Sequence, residues 1–259
     1  MDGSLPDAAG SLLTAHHRPV PLLLANVWDA SSARAVEATG FEFLATSSHA
    51  VADVLGERDD DSADPDVVFG WITRIVRAVS CPVTADLEAG YGLPPAELVD
   101  RMLRTGVVGC NLEDTDHHGD GPLVDADQQA SFLEAVRAAA DAAGVHLVIN
   151  ARVDTFARRV GSDAQQLEEA IARGRRYLAA GADCIYPIGL SERAAIAELV
   201  AAVPGPVNVL ARPGGLPVEE LTAIGVHRIS LASGLQRVAT ERLRQAAAGF
   251  LAGRSLDQL

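Results

Sequence analysis

Eight short apolar runs recur along the chain, and helix-length polar, alanine-rich stretches separate most of them. The runs are Leu22 to Asn26, Phe41 to Ser47, Pro82 to Glu88, Val107 to Glu113, Val145 to Arg152, Ala182 to Ile188, Pro206 to Ala211 and His227 to Ala232. Most are near-continuously apolar rather than alternating, the pattern of parallel strands covered by helices. Helical spacing of apolar residues predicts helices over Ala30 to Thr39, Pro95 to Thr105, Asp127 to Ala143, Ala164 to Ala180 and Ser191 to Val203. Gly40, Gly106, Gly144, Gly181 and Gly225 stand at the helix-to-strand junctions, where a left-handed glycine ends a helix at little steric cost. Eight such units in one uninterrupted chain predict an α/β fold closed as a (β/α)8 TIM barrel rather than an open doubly wound sheet. The expectation is one barrel domain over residues 1–259, with 1–18 as a lead-in.

Composition narrows the partners. A length of 259 residues suits a single barrel, and 48% hydrophobic residues supply a sizeable core. A net charge of −14 would be repelled by nucleic acid and by anionic membranes, so neither is expected as a partner. The amino-terminal MDGSLPDAAGS has no basic region or long apolar stretch, and no 18-residue apolar run follows, so a cytoplasmic location is expected. Cys81, Cys110 and Cys184 lie far apart in or beside apolar runs with no CxxC pair, which reads as buried, inert thiols.

In such barrels the chemistry sits at the C-terminal strand ends. The unusual polar residues fall there: Asn26 and Asp29, Thr46 to Ser48, Asp86 and Glu88, Glu113 and Asp114, Asn150 and Arg152, and Asn208. Asp29, before an alanine-rich helix, reads as a helix cap ahead of a ligand. Asp86 and Glu88, two apart on a strand, share a face. With Glu113 they make an acidic cluster whose hard oxygen donors suit Mg²⁺, or Mn²⁺, over zinc; the alternative is an acidic rim paired with arginines. Arg152 shares a face with Asn150, and its fork suits either a substrate anion or an ion pair with one of those acids. In the segment Thr46 to Asp59 small hydroxyl residues after a strand expose backbone N–H groups able to receive an oxyanion or carboxylate, and Arg58 and Asp59 follow a glycine turn in an expected overhanging loop.

The ordered segments NVWDA (Asn26 to Ala30), TSS with LGERD (Thr46 to Asp59), DLEAGYG (Asp86 to Gly92), NLED (Asn111 to Asp114) and NARVDTF (Asn150 to Phe156) resemble the phosphoenolpyruvate mutase and isocitrate lyase superfamily over nearly the whole chain. The resemblance implies a Mg²⁺ site with Asp86 as direct ligand and Glu88 and Glu113 acting directly or through water. It implies substrate contacts from Thr46, Ser47, Ser48, Asp86, Asn150 and Arg152, with Asp59, Glu113 and Arg152 around the reacting group. It also implies a small anionic substrate, a 2-oxo carboxylate or a phosphonate, and a homodimer or homotetramer in which the C-terminal helix, here Leu235 to Leu251, swaps between subunits.

The chain departs from the cleaving members after NLED. Their gating loop carries a Lys-Cys-Gly-His type sequence, whereas TDHHGDGPLVD (Thr115 to Asp125) has neither cysteine nor lysine, and the mutase-like Lys and Asn-Ser pattern is absent too. His117 and His118 can transfer protons near neutral pH, or simply face solvent. The expectation is a Mg²⁺-dependent carbon–carbon lyase acting on a small 2-oxo or 2-hydroxy carboxylate, the segment Thr115 to Asp125 forming a mobile lid. The alternatives are phosphonopyruvate-type mutase or hydrolase chemistry and a non-catalytic metabolite-binding barrel.

Overall fold

A computed structural model describes residues 4–255 and 257, so residues 1–3 of the lead-in and residues 256, 258 and 259 lie outside the described chain. The elements run α1 (Leu5–Ala15), β1 (Leu22–Val27), α2 (Ala30–Glu37), β2 (Leu44–Thr46), α3 (Ser48–Leu55), α4 (Pro65–Val76), β3 (Val83–Asp86), α5 (Pro95–Thr105) and β4 (Gly109–Glu113). They continue through α6 (Ala126–Ala142), β5 (Val148–Val153), α7 (Asp163–Ala179), β6 (Cys184–Pro187), α8 (Arg193–Ala202), β7 (Asn208–Leu210), α9 (Val218–Ile224), β8 (Arg228–Ser230) and α10 (Gly234–Leu251). All eight expected strands form, in parallel, in the order β6-β5-β4-β3-β2-β1-β8-β7. A parallel bridge between Ile185 and Val207 joins β6 to β7 and brings the sheet round into a (β/α)8 barrel.

Most strands are shorter than the apolar runs because flanking residues cross from barrel to helix layer without ladder partners; β1 is the exception, one residue longer than its run. The glycines at the junctions behave as their positions require: Gly106 and Gly225 cap α5 and α9 in the left-handed region at φ 84° and 95°. Asp29 is the cap of α2, its carboxylate accepting from Ser32 N–H at 2.6 Å. The segment Thr46 to Asp59 keeps Arg58 and Asp59 in a loop after Gly56 but holds a helix that the sequence did not predict. Its middle is the helix α3, capped by the Ser47 hydroxyl and ended by Gly56 at φ 75°. The run SHAVADVL alternates small and apolar residues at helical spacing, and burying Ala50, Val51 and Ala52 against the barrel wins over the turn propensity of its serines.

Register places the site. Asp86 pairs with Asn111, Asn111 with Asn150, Glu113 with Arg152 and Arg152 with Tyr186, so these side chains form two rows around one end of the barrel. At the other end α1 buries Ala9, Leu12 and Ala15 in the core and carries the buried His16. The thiols of Cys110 and Cys184 are fully buried, and burial pushes both up to about 12. Among the described residues no helix is long and apolar enough to cross a membrane.

Gly109 shows how closely β4 and β5 approach, since a Cβ there would be driven onto the Val148 carbonyl oxygen and within 3.0 Å of the Val148 Cβ. Gly109→Ala is expected to lower stability by about 2 kcal/mol through overpacking. Urea unfolding that leaves the midpoint unchanged would refute so tight a contact.

Candidate active site

The site grows from the C-terminal ends of β2 to β5. Asp86 ends β3 half-buried, its own N–H donating to Thr46 Oγ1 at 2.9 Å. Because Ser47 caps α3, the first N–H of that helix, from Ser48, points at Asp86 Oδ2 at 3.0 Å, and the Ser48 hydroxyl donates to the same oxygen at 2.9 Å. A carboxylate at a helix N-terminus meets both free N–H groups and the positive end of the dipole. Asn111 Nδ2 donates to Asp86 Oδ1 at 3.2 Å. Thr46, Ser47 and Ser48 thus gather beside Asp86. Asn150, fully buried, donates to Asn111 Oδ1 at 2.8 Å.

The chain turns sharply after β3. Glu88 and Tyr91 take φ of 48° and 56°, with Gly90 and Gly92 also positive, and left-handed backbone at non-glycine residues costs on the order of 1–3 kcal/mol each. Asp61 pins this turn: its Oδ1 accepts from Ala89 and Tyr91 N–H at 3.1 and 2.8 Å, and its own N–H donates to Glu88 Oε2. The strained turn brings the Glu88 carboxyl, buried, back toward Asp86.

Electrostatically the centre is overloaded with negative charge. Burial, with Asp59, Glu113 and Asp86 nearby, pushes the Glu88 carboxyl up to about 8. Burial and the Asp86 charge raise Asp59 above the usual carboxylate range; its side chain is 30% exposed and 3.4 Å from His49 Nδ1. Burial raises Glu113 against the pull of Arg152. Arg152 opposes this crowd: Nη1 pairs with Glu113 Oε2, and Nε and Nη2 fork onto Asp154 at 2.7 Å each. Burial works against its charge, but Asp154 and Glu113 hold it well above its ordinary value.

The segment Thr115 to Asp125 folds back over these groups. Thr115 bridges Leu123, and Thr115 Oγ1 donates to Asp154 Oδ2 at 2.6 Å. His117 Nε2 meets Glu113 Oε1 at 2.6 Å, a contact that raises the imidazole above its ordinary value. His118 is 64% exposed, 3.2 Å from Asp61. Of the two histidines one faces the site and the other mostly solvent.

Asp114 turns away from the centre. It is locked among Arg173, Tyr177 and the Asp154 N–H at 3.0, 2.8 and 2.8 Å. Sequence reasoning gave no separate role to Asp61, Asp154 or Asn111. Asp154 was findable, since it lies two residues beyond Arg152, just past the end of β5; Asp61, from a distant loop, left no local signal.

Among the described residues no three His, Cys, Asp or Glu side chains converge as a ready cage for a metal ion. The donor set nonetheless fits a hard divalent cation that keeps much of its water. Asp86 offers a half-buried carboxylate, and Asp59, Glu88 and Glu113 crowd it with carboxyl groups whose ionised forms burial disfavours and a cation would favour.

Fold and site define a (β/α)8 barrel with an acid-rich, arginine-bearing centre at its C-terminal mouth. The chain belongs to the phosphoenolpyruvate phosphomutase family, whose profile matches residues 12–251, within the superfamily that also holds the isocitrate lyases. A crystal structure from Burkholderia cenocepacia, provisionally described as a phosphonomutase, is similar at 39% identity and a TM-score of 0.88, over 97% of this chain and 100% of that one. Oxaloacetate decarboxylase 2 of Pseudomonas putida is 30% identical over 234 residues, 86% of this chain and 73% of the relative. Oxaloacetate acetylhydrolase, solved with its product oxalate, has 25% identity and a TM-score of 0.85 over 96% of this chain and 88% of that one. The family's enzymes thus include carbon–carbon lyases and phosphomutases, and relatives bind small anions such as oxalate.

Glu88 carries a pH signature. Its folded value of about 8 lies above the ordinary 4.5, so between these values the folded state holds a proton that the unfolded state has released, and stability falls as pH rises. Glu88→Gln should therefore gain melting temperature relative to wild type from pH 4.5 to 8 in metal-free buffer. A difference that stays constant across that range would show that Glu88 is not so perturbed.

Proposed function

We propose that the chain is a Mg²⁺-dependent lyase, accepting Mn²⁺, that cleaves a carbon–carbon bond of a small 2-oxo or 2-hydroxy carboxylate through an enolate-like intermediate. The observation that carries this reading is the crowd of Asp59, Asp86, Glu88 and Glu113, set against Arg152. Asp86 would hold the cation directly, with Glu88 and Glu113 acting directly or through retained water. The bound cation would supply Lewis-acid stabilisation for the negative charge that develops on the oxygens of a 2-oxo acid. Arg152, its plane fixed by Asp154, would orient the substrate anion. Thr46, Ser47, Ser48 and Asn150 would border the substrate, and Asp59 would hold or accept the proton at its raised carboxyl. The segment Thr115 to Asp125 would close over the site and exclude water.

Similarity to an oxaloacetate decarboxylase and to an oxaloacetate acetylhydrolase supports carbon–carbon chemistry. The 39% identity to a structure provisionally described as a phosphonomutase favours a second reading, mutase or hydrolase chemistry on a phosphonopyruvate-type substrate. We place the enzyme in the cytoplasm as a homodimer or homotetramer. The exposed Val238, Leu243, Phe250 and Leu251 on α10 support exchange of that helix between subunits.

Incubation with Mg²⁺ and a panel of 2-oxo diacids and phosphonates, followed by NMR, should give a cleavage product from a 2-oxo diacid that chelator abolishes. Turnover of phosphonates alone would establish the second reading, and binding without turnover a non-catalytic barrel. Asp86→Ala should lose cation binding by calorimetry yet keep its fold; wild-type affinity would remove Asp86 as a ligand. Arg152→Lys keeps the charge and loses the fork, so kcat/KM should fall at least about tenfold, roughly 1.4 kcal/mol. Unchanged kinetics would leave Arg152 as an ion-pair partner of Glu113 and Asp154 alone.

A further inference from the structure

Arg228 begins β8 and lies inside the barrel, 1% exposed. Its guanidinium reaches β4, four strands round an eight-stranded barrel and so on the opposite wall. There Nη2 donates to Asn111 Oδ1 at 3.3 Å, while Nε and Nη1 have no acceptor among the described residues. Its charge is felt by His16, whose imidazole is lowered to about 3 by burial and then by Arg228. A buried arginine so poorly satisfied is a liability to the fold, and replacing such a charge by a well-packed apolar side chain is often neutral or stabilising. A side chain kept against stability points to a use elsewhere.

Its single partner identifies that use. Asn111 Oδ1 also accepts from Asn150 Nδ2 at 2.8 Å, so both lone pairs of the amide oxygen are taken and the amide cannot turn over. Its NH₂ group is thereby committed to Asp86 Oδ1 at 3.2 Å. On the other side Ser48 holds Oδ2 through its N–H and its hydroxyl, at 3.0 and 2.9 Å. The carboxylate is gripped at both oxygens, and Oδ1 keeps a lone pair free.

We infer that Arg228 is a positioning residue: by pinning Asn111 from across the barrel, it fixes the orientation in which Asp86 receives a divalent cation. The inference rests on the reading of Asp86 as a cation ligand. Groups that orient a metal-binding side chain typically contribute about 10–100-fold to metal affinity.

Arg228→Met, Asn111→Leu and the double variant test it, by thermal melting without metal and by Mg²⁺ and Mn²⁺ titration calorimetry, beside wild type and Asp86→Ala. Arg228→Met should melt at or above the wild-type temperature and bind either ion at least about tenfold more weakly. Asn111→Leu should show a similar loss, and the double variant little more, because both act through one contact. An Arg228→Met protein that fails to fold, or that melts well below wild type with unchanged affinity, makes Arg228 a structural strut and overturns the inference. Additive losses in the cycle overturn it as well. Wild-type protein that binds neither ion, like Asp86→Ala, removes the cation reading and this inference with it.

Discussion

Concentrating carboxylates in a half-buried space is the constraint around which the site is organised. Four acids crowd one end of the barrel, and their mutual repulsion adds to the cost of burying each. The fold answers with oriented partial charges and one guanidinium. The α3 N-terminus is aimed at Asp86, and Asp61 draws backbone N–H groups into a left-handed turn that sets Glu88. Arg152 reaches both Glu113 and Asp154. What remains uncompensated is the cost of ionising these carboxyls, which the proposed cation would offset.

The barrel was legible because its signals are local and repeated. Apolar runs of strand length and glycines at the junctions report directly on backbone geometry, and the structure keeps them with tighter boundaries. The acidic positions were legible too, but strand alternation is not what unites them: β3 ends at Asp86, and Glu88 reaches the site through the left-handed turn that follows. Hidden from the sequence was whatever depends on distant segments meeting. Asp61 holds the turn after β3 from a loop 27 residues earlier, and Arg228 meets Asn111 across 117 residues. The helix Ser48 to Leu55 went unpredicted for a different cause: serine and aspartate favour turns, and only burial against the barrel decides for helix.

The site's proton chemistry sits on side chains that the gating loop of cleaving relatives would not suggest. That loop here offers histidines in place of cysteine and lysine, and only His117 turns inward, onto Glu113. Among the acids Glu88, pushed up to about 8, holds a proton near neutral pH. A centre of this kind joins charge balance to cation occupancy, because a bound cation favours the ionised form of each carboxyl that burial has raised.

Loop and anchor are tied through shared atoms. Asp154 Oδ2 accepts from Thr115 at the root of the loop, at 2.6 Å, and from Arg152 Nη2 at 2.7 Å. Glu113 carries His117 on one oxygen and Arg152 on the other. Lifting the loop would therefore strip one hydrogen bond from each of the two carboxylates that fix the guanidinium. Without those bonds both carboxylates turn more freely, and the Arg152 guanidinium is held less firmly in its plane. The loop and the oriented arginine are thus one mechanical unit, with Asp154 as the joint between them.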